Sequence, residues 1–383
     1  MGGCNKVTNQ NWAGRVICII GLGSSGRACC EVLSTLGAKV YGIDGQEEAV
    51  ANCSQDYPHA QFYQGQGDNW EDLLDKIDPS LLVVSPGVPP RHSAFTWAKK
   101  HQVELWGEVE LAWQIQKTAT SRPNTPWLTV TGTNGKTTTV GMTHSILQAA
   151  GYEALAVGNV GSPVVLAAAQ AKAQVLAVEL SSFQLYTISS LSPLAAVCLN
   201  IDADHLDWHG SEAAYVAAKA RVYERAQKAV LYNQQDSRTL DLTLAADVTE
   251  GCRAIGFTTG IPDIYQLGLV ENMLIDRAYS ANPYKEAVAL VGMGDFHYYH
   301  GEPGITVLQD ALAAAGLTRA LGVAPEAVRD GIRSFVPQAH RRAIVGQAAQ
   351  VTWIDDSKAT NTHAAAASLS GMPPASVVWI AGG

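Results

Sequence analysis

The sequence predicts an α/β protein of three domains, each built on a mostly parallel sheet. Short apolar segments alternate with helical ones along most of the 383 residues. Two of these segments run straight into glycine-rich loops that open helices, at residues 21–26 and 129–139. An apolar share of 47% suffices for several cores, and a chain of this length holds two or three domains. The expected divisions are 1–106, a Rossmann-like unit; 107–337, a central P-loop unit; and 338–383, a truncated Rossmann-like unit.

Composition excludes some functions. A net charge of −9 argues against a nucleic-acid surface, so anionic ligands must be met by local cations and helix N-termini. The seven Cys show no CxxC or zinc spacing. Cys18, Cys29, Cys30 and Cys198 lie in apolar runs and read as free core thiols in a reducing compartment. There is neither an apolar run long enough to span a bilayer nor a signal-peptide pattern. A cytoplasmic protein without membrane insertion is therefore expected.

Residues 15–20 form a buried strand, followed by Gly21-Leu22-Gly23-Ser24-Ser25-Gly26, a helix over 27–36 and a strand over 39–43 that ends in Asp44. This GxGxxG unit suits a nucleotide, its pyrophosphate at the helix start and its ribose near Asp44. The same glycines also permit tight strand–helix packing, so the motif alone is weak. A strand over 81–84 ends in Ser85-Pro86-Gly87. A connecting helix starts at 107, and residues 120–126 read as a linker.

The second loop is more specific. Thr129-Val130-Thr131 leads into Gly132-Thr133-Asn134-Gly135-Lys136-Thr137-Thr138, then a helix. Backbone N–H groups there wrap phosphates, Lys136 meets the terminal ones and Thr137 offers a hydroxyl to a metal ion. Val130 stands where the general motif has glycine, so Gly132 and Asn134 shape the turn. Strands over 175–178 and 195–199 end near Glu179 and near Asp204-His205. Open α/β sheets bind ligands at strand C-termini, so these residues are expected on the P-loop side. A hard cation beside phosphates takes oxygen ligands and tolerates an imidazole. Glu179 also fits a helix-start carboxylate, though its place after an apolar strand favours the metal. His205 reads equally as a buried core residue. Lys219, in an Ala-rich helix over 215–223, reads by spacing as a snorkelling surface lysine. The helix over 308–321 shows little chemistry. Beyond Pro337 come His340-Arg341, a hairpin over 344–354 and Asp355-Asp356-Ser357-Lys358-Ala359-Thr360-Asn361 opening a helix. That loop is another anion site, or an N-cap by Thr360 or Asn361. A last strand is expected over 377–380.

Five runs together resemble the Mur ligases of peptidoglycan synthesis: Thr131 to Thr137, Glu179-Leu-Ser-Ser-Phe-Gln184, Asp204-His-Leu-Asp207, Ala218-Lys-Ala-Arg221 and Asp356-Ser-Lys-Ala-Thr-Asn361. The likeness runs from about residue 15 to the end, and the second and fifth runs point to the D-glutamate-adding members. The resemblance implies a UDP-binding, an ATP-binding and a closing C-terminal domain. It implies ATP-dependent ligation of D-glutamate to UDP-N-acetylmuramoyl-L-alanine through an acyl phosphate, by a monomer using two Mg²⁺ ions. By the resemblance Ser24, Ser25, Asp44 and Gly87 hold UDP, while Asn159, Ser181, Gln184 and His205 face the sugar-peptide. ATP falls to Gly132, Thr133, Asn134, Gly135, Lys136, Thr137 and Thr138, with His340, Arg341 and Asp356 from the third domain. Thr137, Glu179, His205 and a carbamylated Lys219 serve the metal. Lys358 and Thr360 meet D-glutamate or the phosphates. The implied catalytic set is Lys136, Glu179, His205, Lys219 and Lys358.

The sequence also departs from the family. Residues 301–306 lack its His-Asn pair, Trp208 replaces a usual Arg, and the family's third domain continues past a final Gly-Gly like this one. A second expectation is therefore a nucleotide and UDP-sugar binder that ligates poorly, or another Mur-type ligase.

Overall fold

The computed structural model describes residues 12–67, 69–118, 124–298, 303–359, 362–369, 372 and 375–382. In the first unit Val16–Ile20 (β1), Lys39–Asp44 (β2), Gln61–Gln64 (β3), Leu81–Val84 (β4) and Glu104–Gly107 (β5) form one parallel sheet, in the order β3-β2-β1-β4-β5. Side chains alternate across a strand, so Ile17 and Ile19 enter one apolar cluster while Cys18 and Ile20 enter another on the opposite face. Burial on both faces explains why β1 reads as an unbroken apolar run. The four cysteines expected in the core are buried. β3 and β5, four residues each with polar members, carry no such signal and add to the strands foreseen.

The central sheet has nine strands: Trp127–Thr131 (β6), Ala154–Gly158 (β7), Val175–Glu179 (β8), Ala195–Cys198 (β9), Ala229–Asn233 (β10), Arg253–Phe257 (β11), Gln266–Val270 (β12), Met273–Asp276 (β13) and Val288–Gly292 (β14). Their order is β14-β13-β12-β11-β10-β9-β6-β8-β7, parallel except at the β12–β13–β14 edge. Helices Lys136–Ala149, Ile305–Leu321 and Pro325–Ser334 share one buried cluster with this sheet. Across its other face, a single cluster runs from β1 through the connecting helix Glu108–Thr118 and helix Val164–Gln170 to β8. The connecting helix is tied to the central unit. Glu110 accepts from the backbone N–H groups of Ser189 and Ser190, at 2.8 and 2.9 Å, and Gln116 accepts from Trp127 Nε1 at 2.7 Å.

Residues Ala343–Ala348 (β15) and Val351–Asp355 (β16) form the expected hairpin, followed by helix Thr362–Leu369. Residues 377–380 form no strand; Val378 and Ile380 are exposed. A short apolar run becomes a strand only where a neighbour completes its hydrogen bonds, and none of the described strands lies beside it. Part of the expected linker (120–123), the start of the 301–306 stretch, Thr360 and Asn361 lie outside the described residues. Among the described residues no helix is long and apolar enough to cross a membrane.

Candidate nucleotide and phosphate site

β6 lies between β8 and β9, so the loop after it meets the ends of both neighbours. Asn134 N donates to Asn200 Oδ1 at 2.8 Å, and Thr133 N to Asn200 O at 3.0 Å. Thr133 Oγ1 lies 2.9 Å from Tyr215 OH. The loop is thus clamped before Gly135 turns it, at φ +85°, into helix Lys136–Ala149. That helix has no side-chain cap and no acid in its first turn, which leaves its N–H groups and positive end to an anion.

Charged groups converge on this loop. Lys136 Nζ donates to the carbonyls of Gly132 and Thr133, each at 2.9 Å. Lys219 Nζ donates to the same Gly132 carbonyl at 2.8 Å, above the Tyr215 ring. Lys219 is only 2% exposed, which overturns the surface-lysine reading. Burial first, and then the Lys136 ammonium, pull its pKa down to about 7. Burial also lowers the Lys136 pKa.

Glu179 ends β8 and is buried. It accepts from Thr137 Oγ1 and from Asn159 Nδ2, both at 2.9 Å. Among the described residues it forms no ion pair. A buried carboxylate held by neutral donors alone, beside a hydroxyl that also opens a phosphate loop, suits a hard divalent cation. No group of three or more His, Cys, Asp or Glu gathers as a metal cluster among the described residues. Mg²⁺ needs none, since phosphates and waters supply most of its ligands.

Other expected residues lie further out. His205, at φ +50°, has a side chain 48% exposed, 3.5 Å from Asp204 Oδ2 and packed on Phe183, so it is not a core histidine. Trp208 also packs on Phe183, its ring tilted. Ser181 and Gln184 cap each other at the start of helix Ser182–Tyr186. Arg341 is brought in: its Nη2 donates to Thr137 Oγ1 at 2.9 Å. His340 bonds Asp355 Oδ2 at 2.6 Å, while Asp356 accepts from Arg342 N and Ser368 Oγ; both residues hold their own segment together. The Lys358 backbone N–H meets His340 O at 3.1 Å. A cavity of about 200 Å³ opens beside the loop, lined by Thr137, Thr138, His144, Phe335 and Arg341 among others.

A second candidate site sits at the switch point of the first sheet, between β1 and β4. Asp44 accepts from Leu22 N at 2.6 Å and from Gln46 N at 2.8 Å, and Ser85 Oγ donates to Gly21 O at 2.6 Å. Ser24 and Ser25 open the uncapped helix Ser24–Thr35, and exposed Gly87 stands in the loop after β4. Three features escaped sequence reasoning: the Asn200 clamp, Tyr215 against Thr133, and Asp310, which accepts from Thr139 Oγ1 at 3.0 Å.

Comparisons with known proteins agree with this fold. The family described as Mur ligase middle domain matches residues 130–270, and Mur ligase MurD-like, N-terminal domain matches residues 15–107. A UDP-N-acetylmuramoylalanine--D-glutamate ligase of Streptomyces coelicolor is 46% identical over 98% of this chain and 78% of its own length. One of Leifsonia xyli is 41% identical over 98% of this chain and 74% of its own. Among solved structures, a UDP-N-acetylmuramate:L-alanyl-gamma-D-glutamyl-meso-diaminopimelate ligase from Neisseria meningitides covers 85% of this chain and 99% of its own, with TM-score 0.52 and 15% identity. A murein peptide ligase from Psychrobacter arcticus covers 90% of this chain and 73% of its own, with TM-score 0.51 and 16% identity. At such identity these two structures speak for the fold.

Proposed function

The chain belongs to the Mur ligase family, and on that premise we propose that it joins D-glutamate to UDP-N-acetylmuramoylalanine using ATP. The substrate carboxylate takes the terminal phosphoryl group, and the D-glutamate amine then displaces phosphate to form the amide. The observation that carries this reading is the gathering of Lys136, Thr137, Glu179 and Lys219 around one phosphate loop. Phosphoryl transfer asks for positioning and charge neutralisation more than covalent chemistry, and this cluster offers both.

Lys136 and the loop N–H groups bind the phosphates. Glu179 and Thr137 would hold Mg²⁺, which when bound neutralises phosphate charge and polarises the phosphoryl oxygens. Lys219, with its pKa near 7, is substantially a neutral amine at physiological pH. It can add to CO₂: a nitrogen–carbon bond forms, a proton leaves to solvent, and a carbamate carboxylate results. That change would put an anion, suited to a second metal ion, where the amine now meets the Gly132 carbonyl. Arg341 reaches the nucleotide from the third unit, and the cavity beside it takes the rest of ATP. Ser24, Ser25, Asp44 and Gly87 hold the UDP group, and Asn159 and His205 face the sugar-peptide. Lys358 and Thr360 serve D-glutamate. The working form is a cytoplasmic monomer, and free buried thiols suit a reducing compartment.

The test is phosphate release with ATP, UDP-N-acetylmuramoyl-L-alanine and D-glutamate, and the product mass. Release that needs all three is expected. Release indifferent to D-glutamate, or a product carrying another amino acid, would overturn the assignment.

A further inference from the structure

Asp310 stands in helix Ile305–Leu321, which is apolar almost all round. Its carboxyl is buried, and the hydrogen bond from Thr139 is the one it accepts among the described residues. The same oxygen presses on the phosphate loop: a Cβ on Gly135 would stand 2.3 Å from it. Asp310 therefore touches the loop helix at its cap and again one turn on. Among the described residues it forms no ion pair. The charged groups facing it are Lys136 on the loop helix and Arg341 from the third unit. β9, β10, β11, β12 and helix Pro325–Ser334, which also pack on its helix, bring none.

A carboxylate buried behind an anion-binding helix start would repel the phosphates, whereas a neutral carboxyl supports the loop without that repulsion. We propose that Asp310 is a positioning residue of the phosphate loop, holding Gly135 and Thr139 in place as the neutral acid and weakening phosphate binding when it ionises. The inference rests on the reading that this loop takes ATP. Burial raises the Asp310 pKa to about 8, so the acid is neutral below that pH and ionised above it. Nucleotide affinity should then fall as pH rises through 8.

The experiment is calorimetric titration of ADP, without metal, into the full chain and its Asp310→Asn and Asp310→Ala variants from pH 7 to 9.5. Wild-type affinity should drop roughly tenfold around pH 8. Asp310→Asn should match it within about twofold at pH 7 and lose the tenfold share of the drop that Asp310 causes, because the amide still accepts from Thr139 but cannot ionise. Asp310→Ala should bind more weakly at pH 7. Lys219, which also titrates in this range, is common to all three and cancels in the comparison. A drop in Asp310→Asn as steep as the wild type's, or Asp310→Ala equal to Asp310→Asn at pH 7, would overturn the proposal. A flat wild-type profile with clear binding overturns it alone. No ADP binding at any pH would overturn the nucleotide reading along with it.

Discussion

At residues 21–26 and again at 132–137 a buried parallel strand breaks into glycines and restarts as a helix, yet the two loops are surrounded differently. The first is closed by backbone and by Asp44, which accepts two backbone N–H groups, and it offers an anion only an uncapped helix start and two serines. The second is ringed by Lys136, Lys219, Glu179, Arg341 and Asp310, all on or beside the loop itself. On the proposed function the contrast separates two tasks. Holding a diphosphate that does not react needs donors and a dipole. Moving a phosphoryl group needs charges that follow the redistribution in the transition state.

The comparison breaks most sharply at Lys136. Lys136→Ala should lower kcat/KM on the order of 1,000-fold, while UDP-sugar affinity, measured by calorimetry, stays within about twofold. A large loss at both ligands would mean that the loops are not independent. Next comes Lys219→Ala, for which a drop of about 100-fold in kcat is expected, partly restored by added formate or acetate. Absent rescue would argue against a carbamate. In the first loop, glycine rather than charge should matter. A Cβ on Gly26 would stand 2.0 Å from the Gly21 carbonyl, so Gly26→Ala should cost about 2–3 kcal/mol in thermal unfolding and weaken UDP-sugar binding, with ATP binding kept. The smallest effect belongs to Asp44→Asn. Its amide can still accept from Leu22 N, so UDP-sugar affinity should fall only about fivefold, roughly 1 kcal/mol. A loss as large as that of Lys136→Ala would erase the distinction between the loops.

Both loops were legible in the sequence because strand, glycine loop and helix are consecutive along the chain. Glu179 was legible for a similar reason: it ends an apolar strand. Lys219 was misread because helical spacing says which residues share a face but not what that face meets. Its partner, Gly132, lies 87 positions away. Asp310 was passed over for the same reason, with Thr139 171 positions earlier and a long Ala- and Leu-rich run after it. Arg341 was placed at the nucleotide only through family resemblance, and residues 377–380 show that an apolar run is no strand without a neighbour.

The connecting helix has a consequence for anyone who would cut this protein apart. Its polar anchors, Glu110 and Gln116, grip the central unit, and Val109, Leu111, Ala112, Trp113 and Ile115 are buried. In assembly terms, a cut between Gly107 and Glu108 should therefore leave this helix seated on the central unit, at the loss of the bond from Trp12 Nε1 to Thr118 Oγ1. A fragment ending at Gly107 keeps all five strands of its sheet. One ending at residue 118 carries away a greasy flap torn from its seat, and should precipitate where the shorter piece stays in solution.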